Sequence, residues 1–280
     1  MTDRPAPPKA DTDTIARTFT MTIDLDATPE EVWNALTRAE ELVRWFPVQA
    51  RVMPGVGGTM FWGWDDQFSW ESTIEVWEPG RRLVLTEERP ATDVKGAPIG
   101  GPARKIAMEF TLDTHAGRTR LRLVHSGFGS GASWDDELDS IAGGWQFELR
   151  GLAFYLDRHK GRDRVSAAVH RTTSTPHDVI WSRLLSHLAF TVEGSLEQNE
   201  RCTITTSVGD RIIGRVLWHN PGRDLALVVD DLGEGLLRIS TWSAAGQTGV
   251  QVWMISYLPE HADAVQRFGK RIDPVIQSIL

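Results

Sequence analysis

The stretch SWDDELDSIAGGWQFELRGLAFYLDRHK, Ser133 to Lys160, decides how the rest of the chain is read. Trp134, Leu138, Ile141, Trp145, Leu149 and Leu152 recur three or four residues apart. That spacing lays one apolar stripe along a long amphipathic helix. Gly143 and Gly144 fall inside it, and an interior glycine weakens a helix by about 1 kcal/mol. Two together predict a bend or a close approach. At the start, Ser133 suits a cap, and Asp135, Asp136 and Glu137 complement the positive end of the helix dipole.

Before this helix the period is two. RTFTMTIDL (Arg17 to Leu25) alternates and reads as a strand. In the next segment, Thr28 is a good cap, Pro29 suits the first helical position and Glu31 completes a capping box. Val32, Trp33 and Leu36 give that short helix an apolar face, and a second short helix, AEELVRWF, ends at Pro47. A series of strands follows. One places Met60, Trp62 and Trp64 on one face. The next places Trp70, Ser72, Ile74 and Val76 on one face and Glu71, Thr73, Glu75 and Trp77 on the other. RRLVLTEE, KIAMEFTLD and TRLRLVH complete the series, and the Pro- and Gly-rich segment between Arg89 and Ala103 reads as a loop. An antiparallel sheet with one apolar face must cover that face, and a long helix lying across it does so.

The second half echoes the first. TPEEV at Thr28 returns as TPHDV at Thr175, and RTRLRLVH returns as QTGVQVWM at Gln247 to Met254. VWEPGRRLVL at Val76 returns as LWHNPGRDLAL at Leu217, read with one residue inserted. A closing helical stripe runs through Val265, Phe268, Ile272, Ile276 and Ile279. The expected organisation is a disordered, proline-rich lead-in (1–16), a first domain (17–160) and a second, shorter and divergent copy (165–280), joined near His159 to Arg164. The pattern of the second copy is less regular.

Composition limits the function. The chain has 280 residues, 41% hydrophobic and 24% charged, with a formal net charge of -8. That acidity argues against a nucleic-acid surface, which needs clustered Lys and Arg. No apolar run approaches the roughly 20 residues of a membrane span, so no membrane insertion is expected. A lone cysteine, Cys202, rules out an intrachain disulfide and makes the cytoplasm the simplest compartment. The eight His are scattered without metal-ligand spacing, so no metal or cofactor is expected. Phosphate-loop and nucleophile-elbow motifs are missing too; GFGSG, after TRLRLVH, lacks the lysine and reads as a connector.

Taken together, ATPEEVWNALTRAEELVRWFP, GVGG, EPGRRLVLT, TRLRLVHSGF and GGWQFELRGLAFYL resemble the activator-of-Hsp90-ATPase-like branch of the START/SRPBCC (Bet v 1-like) superfamily. The resemblance runs from about Arg17 to Lys160. It implies an α+β, helix-grip fold: a curved antiparallel sheet around a long C-terminal helix, with a cavity between them. With the internal repeat, the expectation is tandem helix-grip domains. It implies no single activity, since relatives include binders of lipids and hydrophobic small molecules, polyketide cyclases and co-chaperone domains.

If Leu121 and Leu123 face the helix, the cavity wall comprises Trp62, Met108, Phe110, Leu121, Leu123 and Trp145. Trp45, Trp64, Trp70 and Phe128 line its mouth or base. His125, in RLRLVHSGFG, points the same way as the two leucines. Its ring either bonds a neighbouring group and pins the HSGFG corner, or meets a ligand or acts in acid–base chemistry. A third reading has the tryptophans fill the cavity. The equivalent of His125 in the second half is Met254, which assigns the ligand to the first copy. The favoured function is binding of a hydrophobic small molecule, lipid-like or aromatic, with no catalysis or only weak catalysis. The alternatives are a cyclase- or hydrolase-like enzyme using His125 with a carboxylate, and a co-chaperone-like module with a chaperone partner. A homodimer is also left open.

Overall fold

The computed structural model describes residues 17–64, 69–89, 104–128, 132–244 and 246–280. The expected lead-in (1–16), the Pro/Gly loop (90–103) and the side chains of Ser133 to Glu137 lie outside what is described. The first half contains β1 (Arg17–Leu25), α1 (Pro29–Thr37), α2 (Ala39–Trp45), β2 (Gln49–Val52), β3 (Thr59–Gly63), β4 (Ser69–Glu78), β5 (Arg82–Arg89), β6 (Arg104–His115), β7 (Arg118–Phe128) and α3 (Ala132–Arg158). The second contains β8 (Val165–Thr173), α4 (His177–Leu184), β9 (Phe190–Gly194), β10 (Arg201–Thr206), β11 (Arg211–Asn220), β12 (Asp224–Val229), β13 (Gly235–Ala244), β14 (Gln247–Ser256) and α5 (Ala262–Ile279). Two seven-stranded antiparallel sheets result, in the orders β1-β7-β6-β5-β4-β3-β2 and β8-β14-β13-β12-β11-β10-β9.

Local chemistry sets the ends of α1. The Thr28 hydroxyl accepts the Glu31 amide at 3.2 Å, and the Glu31 carboxylate accepts the Thr28 amide at 2.8 Å. Trp145, Leu149 and Leu152 of α3 are buried against the inner face of the first sheet, among Met60, Leu85, Leu121 and Leu123. Gly143 answers the expectation of a close approach. A Cβ there would sit 2.2 Å from the Arg223 guanidinium carbon, and Arg223 donates to the Ser140 carbonyl at 2.9 Å. Gly144 has open space around it.

Two expectations need correction. A β-bulge between Ile74 and Val76 shifts the register of β4, so that Trp77 pairs with Leu83 and packs edge-on to Trp33 at 5.1 Å. Trp77 therefore faces inward, not outward with Glu71 and Thr73, because the extra residue of a bulge reverses the alternation beyond it. The second sheet has a bulge between Val216 and Trp218. In hairpin register, Ile74, Pro79, Gly80 and Leu85 match Val216, Pro221, Gly222 and Leu227 with no residue inserted. Trp218 lines up with Val76 rather than Trp77.

The irregular pattern of the second half has a packing cause. On the second sheet, Leu225, Leu227, Leu237, Ile239, Val250 and Val252 pack with Val265, Phe268, Ile272 and Ile276 of α5. The opposite face, with Val228, Leu236, Trp253 and Ile255, joins the core of the first sheet. α3 is thus covered on two sides, and every residue of β12 is buried. A strand buried on both faces reads as a continuous apolar run rather than an alternation.

Charges lie within that second contact. The Arg238 guanidinium is 2.8 Å from the Glu148 carboxylate, with the two side chains 4% and 13% exposed. Arg238 also lies over the Phe147 ring at 4.2 Å. Arg164 stacks on Trp253 at 4.5 Å and donates to the Phe46 and Pro47 carbonyls.

Candidate functional site

Nine of the ten residues expected at the cavity lie on or beside the inner face of the first sheet, and Trp145 reaches it from α3. They divide into two groups. The first is an aromatic plug. Trp62, 2% exposed, meets Trp70 at 5.5 Å, Trp145 at 6.3 Å and Phe46 at 5.3 Å. Trp145 meets Phe110 at 5.5 Å, and Trp64 meets Trp70 at 4.9 Å. Trp45 stacks on Phe46 at 5.0 Å and donates its ring N–H to the Ala35 carbonyl at 2.9 Å. Phe46 touches Trp45, Trp62, Trp64 and Trp145, yet the sequence carries no signal for that role. Over this part of the face, rings occupy the space between sheet and helix.

The second group surrounds His125, which is 3% exposed. Strand register places it between Phe19 and Met108, and its ring centroid is 4.9 Å from that of Phe128. Burial, with a smaller contribution from the Arg89 cation, pushes the ring's pKa down to about 3. The imidazole is therefore neutral near pH 7, with one nitrogen donor and one acceptor. Among the described residues, neither Nδ1 nor Nε2 has a hydrogen-bond partner.

The reading in which His125 pins the HSGFG corner through a neighbouring group is not realised among the described residues. The corner is held by close backbone contact instead. Gly127 has φ +99°, and a Cβ there would lie 2.3 Å from the Lys105 carbonyl oxygen.

Other polar groups share this face. Among the described residues, neither the hydroxyl of Ser72, 1% exposed, nor the Trp62 ring N–H has a hydrogen-bond partner. Ser72 lies on β4, three strands from His125, about 14 Å along the sheet. Glu87 has the parity of Leu83 and Leu85 along β5, and its carboxylate accepts from Arg89 Nε at 2.7 Å. The period of RRLVLTEER carries that information, but Glu87 was not expected here. At the position matching His125 in hairpin register, the second sheet has Met254, buried among aliphatic side chains. Cys202 is buried, which raises its thiol pKa.

Residues 26–157 match the family model described as activator of Hsp90 ATPase homolog 1-like protein. No curated protein matches the sequence. Among solved structures, the chain is similar to the Aha1 dimer from Colwellia psychrerythraea at 19% identity, over 52% of this chain and 99% of that one, with a TM-score of 0.43. It is similar to protein MLL2253 from Mesorhizobium loti at 22% identity, over 51% and 98%, with a TM-score of 0.44. DynU16, of the dynemicin biosynthetic locus, is similar over 93% of this chain and 96% of its own at 17% identity, with a TM-score of 0.41. Likeness at this level leaves function to be argued from the site. No helix among the described residues is long and apolar enough to cross a membrane.

Proposed function

We propose that the protein binds a hydrophobic small molecule, lipid-like or aromatic, between the first sheet and α3, with a ligand oxygen meeting the neutral His125 ring. One observation carries this reading. The Trp62 N–H, the Ser72 hydroxyl and both His125 nitrogens are buried on one inner face without hydrogen-bond partners among the described residues. Buried polar atoms are nearly always paired, because leaving one unpaired costs about 1–3 kcal/mol. A mainly apolar wall with a few convergent polar groups is the usual form of a small-molecule site.

Binding is favoured over acid–base catalysis. A general acid or base works best with a pKa near the operating pH, and His125 sits near 3. Glu87 is held by Arg89 and does not hydrogen-bond the ring. In the same reading the two halves are copies of one helix-grip fold. The shared strand order and matching bulges support this. The first copy takes the ligand, and the second, with Met254 in place of the histidine, braces α3.

The test is a thermal-shift and calorimetric panel of fatty acids, fatty alcohols and polycyclic phenols against the native protein and His125→Leu. Saturable binding of an oxygen-bearing ligand that weakens at least tenfold in His125→Leu is expected. A panel without binders, or binding indifferent to the substitution, overturns the proposal.

A further inference from the structure

A recess lies away from the His125 face, where the two sheets and α3 meet. It is an open cleft of about 630 Å³ between the end of β1, the C-terminal half of α3 and β11. Its apolar surface comes from Leu25, Phe154, Val216 and Val228, of which Val216 is fully buried. Its rim is rich in charge: Arg118, Arg150, Arg158 and Arg215 against Asp24, Asp26 and Asp157.

Most of these charges are already engaged. Arg120 takes the Asp24 carboxylate through bonds of 2.8 and 3.1 Å, and Arg118 donates to the Asp24 main-chain carbonyl at 3.0 Å. Arg158 pairs with Asp157 at 2.6 Å and Glu234 at 2.5 Å, and Arg215 lies 3.9 Å from Glu234. Arg150 differs. Its guanidinium carbon lies 3.6 Å over the Trp218 ring, and among the described residues its Nε is buried without a hydrogen-bond partner and no carboxylate pairs with it. Burial lowers its pKa, as expected for a cation lacking a counter-charge. The ring fixes the plane of the guanidinium and leaves its fork of donors uncommitted.

We propose that this cleft binds a small monocarboxylate with an apolar body, an acyl or aryl acid, its carboxylate paired with Arg150 and its body lying along Phe154, Leu25 and Val228. The volume is in the range of small-molecule sites, roughly 300–1,000 Å³. A planar guanidinium matches a carboxylate with two parallel hydrogen bonds. The single charge of Arg150 favours a monoanion over a phosphate dianion. The inference is independent of the His125 site.

Calorimetric titration of the full chain at low ionic strength with octanoate, octanamide and inorganic phosphate tests it. Octanoate is expected to bind saturably. Its affinity should fall at least tenfold in Arg150→Gln, and also in Arg118→Glu, an exposed substitution that reverses one charge on the rim without touching the core. His125→Leu should bind octanoate like the native protein, which separates failure here from failure of the other site. Octanamide or phosphate binding as tightly as octanoate overturns the proposed ligand class. Unchanged affinity in both arginine variants, or loss only in His125→Leu, overturns the site.

Discussion

The two sheets share a strand order but differ in what they bury. The first has one covered face, filled by tryptophan and phenylalanine rings and bearing buried polar atoms without partners among the described residues. The second is covered on both faces, and its α5 side is mainly aliphatic, with Met254 at the position of His125. A sheet specialised only for stability has no use for an unpaired imidazole, since such a group costs free energy. The contrast between His125 and Met254 is therefore the difference on which the proposed binding role rests.

Breaking the contact between α3 and the second sheet should have the largest effect. Arg238→Met leaves Glu148 buried without its partner and is expected to cost about 3–5 kcal/mol in urea unfolding. Adding Glu148→Leu should recover most of that loss, because a well-packed apolar pair often replaces a buried ion pair without penalty. Failure of the double variant to recover would mean that the pair does more than offset its own burial.

Exchanging the matched residues comes next. Met254→His places an unpartnered ring in an aliphatic core and should cost about 1–3 kcal/mol. His125→Met should instead stabilise the protein by about 1 kcal/mol and weaken ligand binding. It should also alter the acid limb. Folded His125 titrates near 3 rather than 6.5, so below pH 6.5 the unfolded chain takes up a proton that the folded one refuses. Stability therefore falls as the pH drops from 6.5 towards 3, by up to about 1.4 kcal/mol per pH unit. In His125→Met that part of the slope should vanish from the pH dependence of thermal unfolding.

The second sheet carries the opposite dependence. Burial raises the Asp224 carboxyl from 3.8 to about 7. Its neutral form contributes stability that is fully present below pH 3.8 and lost as the pH rises towards 7. Asp224→Asn should flatten stability across that window, and an unchanged profile would assign the slope elsewhere. The smallest expected effect concerns the glycine pair. Gly144→Ala has open space and should stabilise α3 by up to about 1 kcal/mol. Gly143→Ala meets Arg223 and should show no such gain on thermal unfolding.

Several features were legible in the sequence because they rest on local chemistry. Thr28, Pro29 and Glu31 specify a helix start through their own backbone neighbours. The alternation of RTRLRLVH puts Leu121, Leu123 and His125 on one face, since side chains alternate along a strand. The stripe of α3 gives its helical period and the face turned to the first sheet. What the sequence did not reveal depends on groups far apart in the chain. The inward turn of Trp77 follows from a bulge, which is a property of strand pairing. Phe46 becomes the centre of the aromatic plug because rings from β3, α2 and α3 converge on it. The second face of α3, with Phe147, Glu148 and Arg150, is explained only once β13 and β11 lie against it. The sequence by itself determined periods, caps and the inward direction of His125, because these are set within a few residues. Only the tertiary structure decided that, among the described residues, His125 lacks a partner and Arg150 lacks a counter-charge, because pairing depends on which distant side chains arrive at the same place.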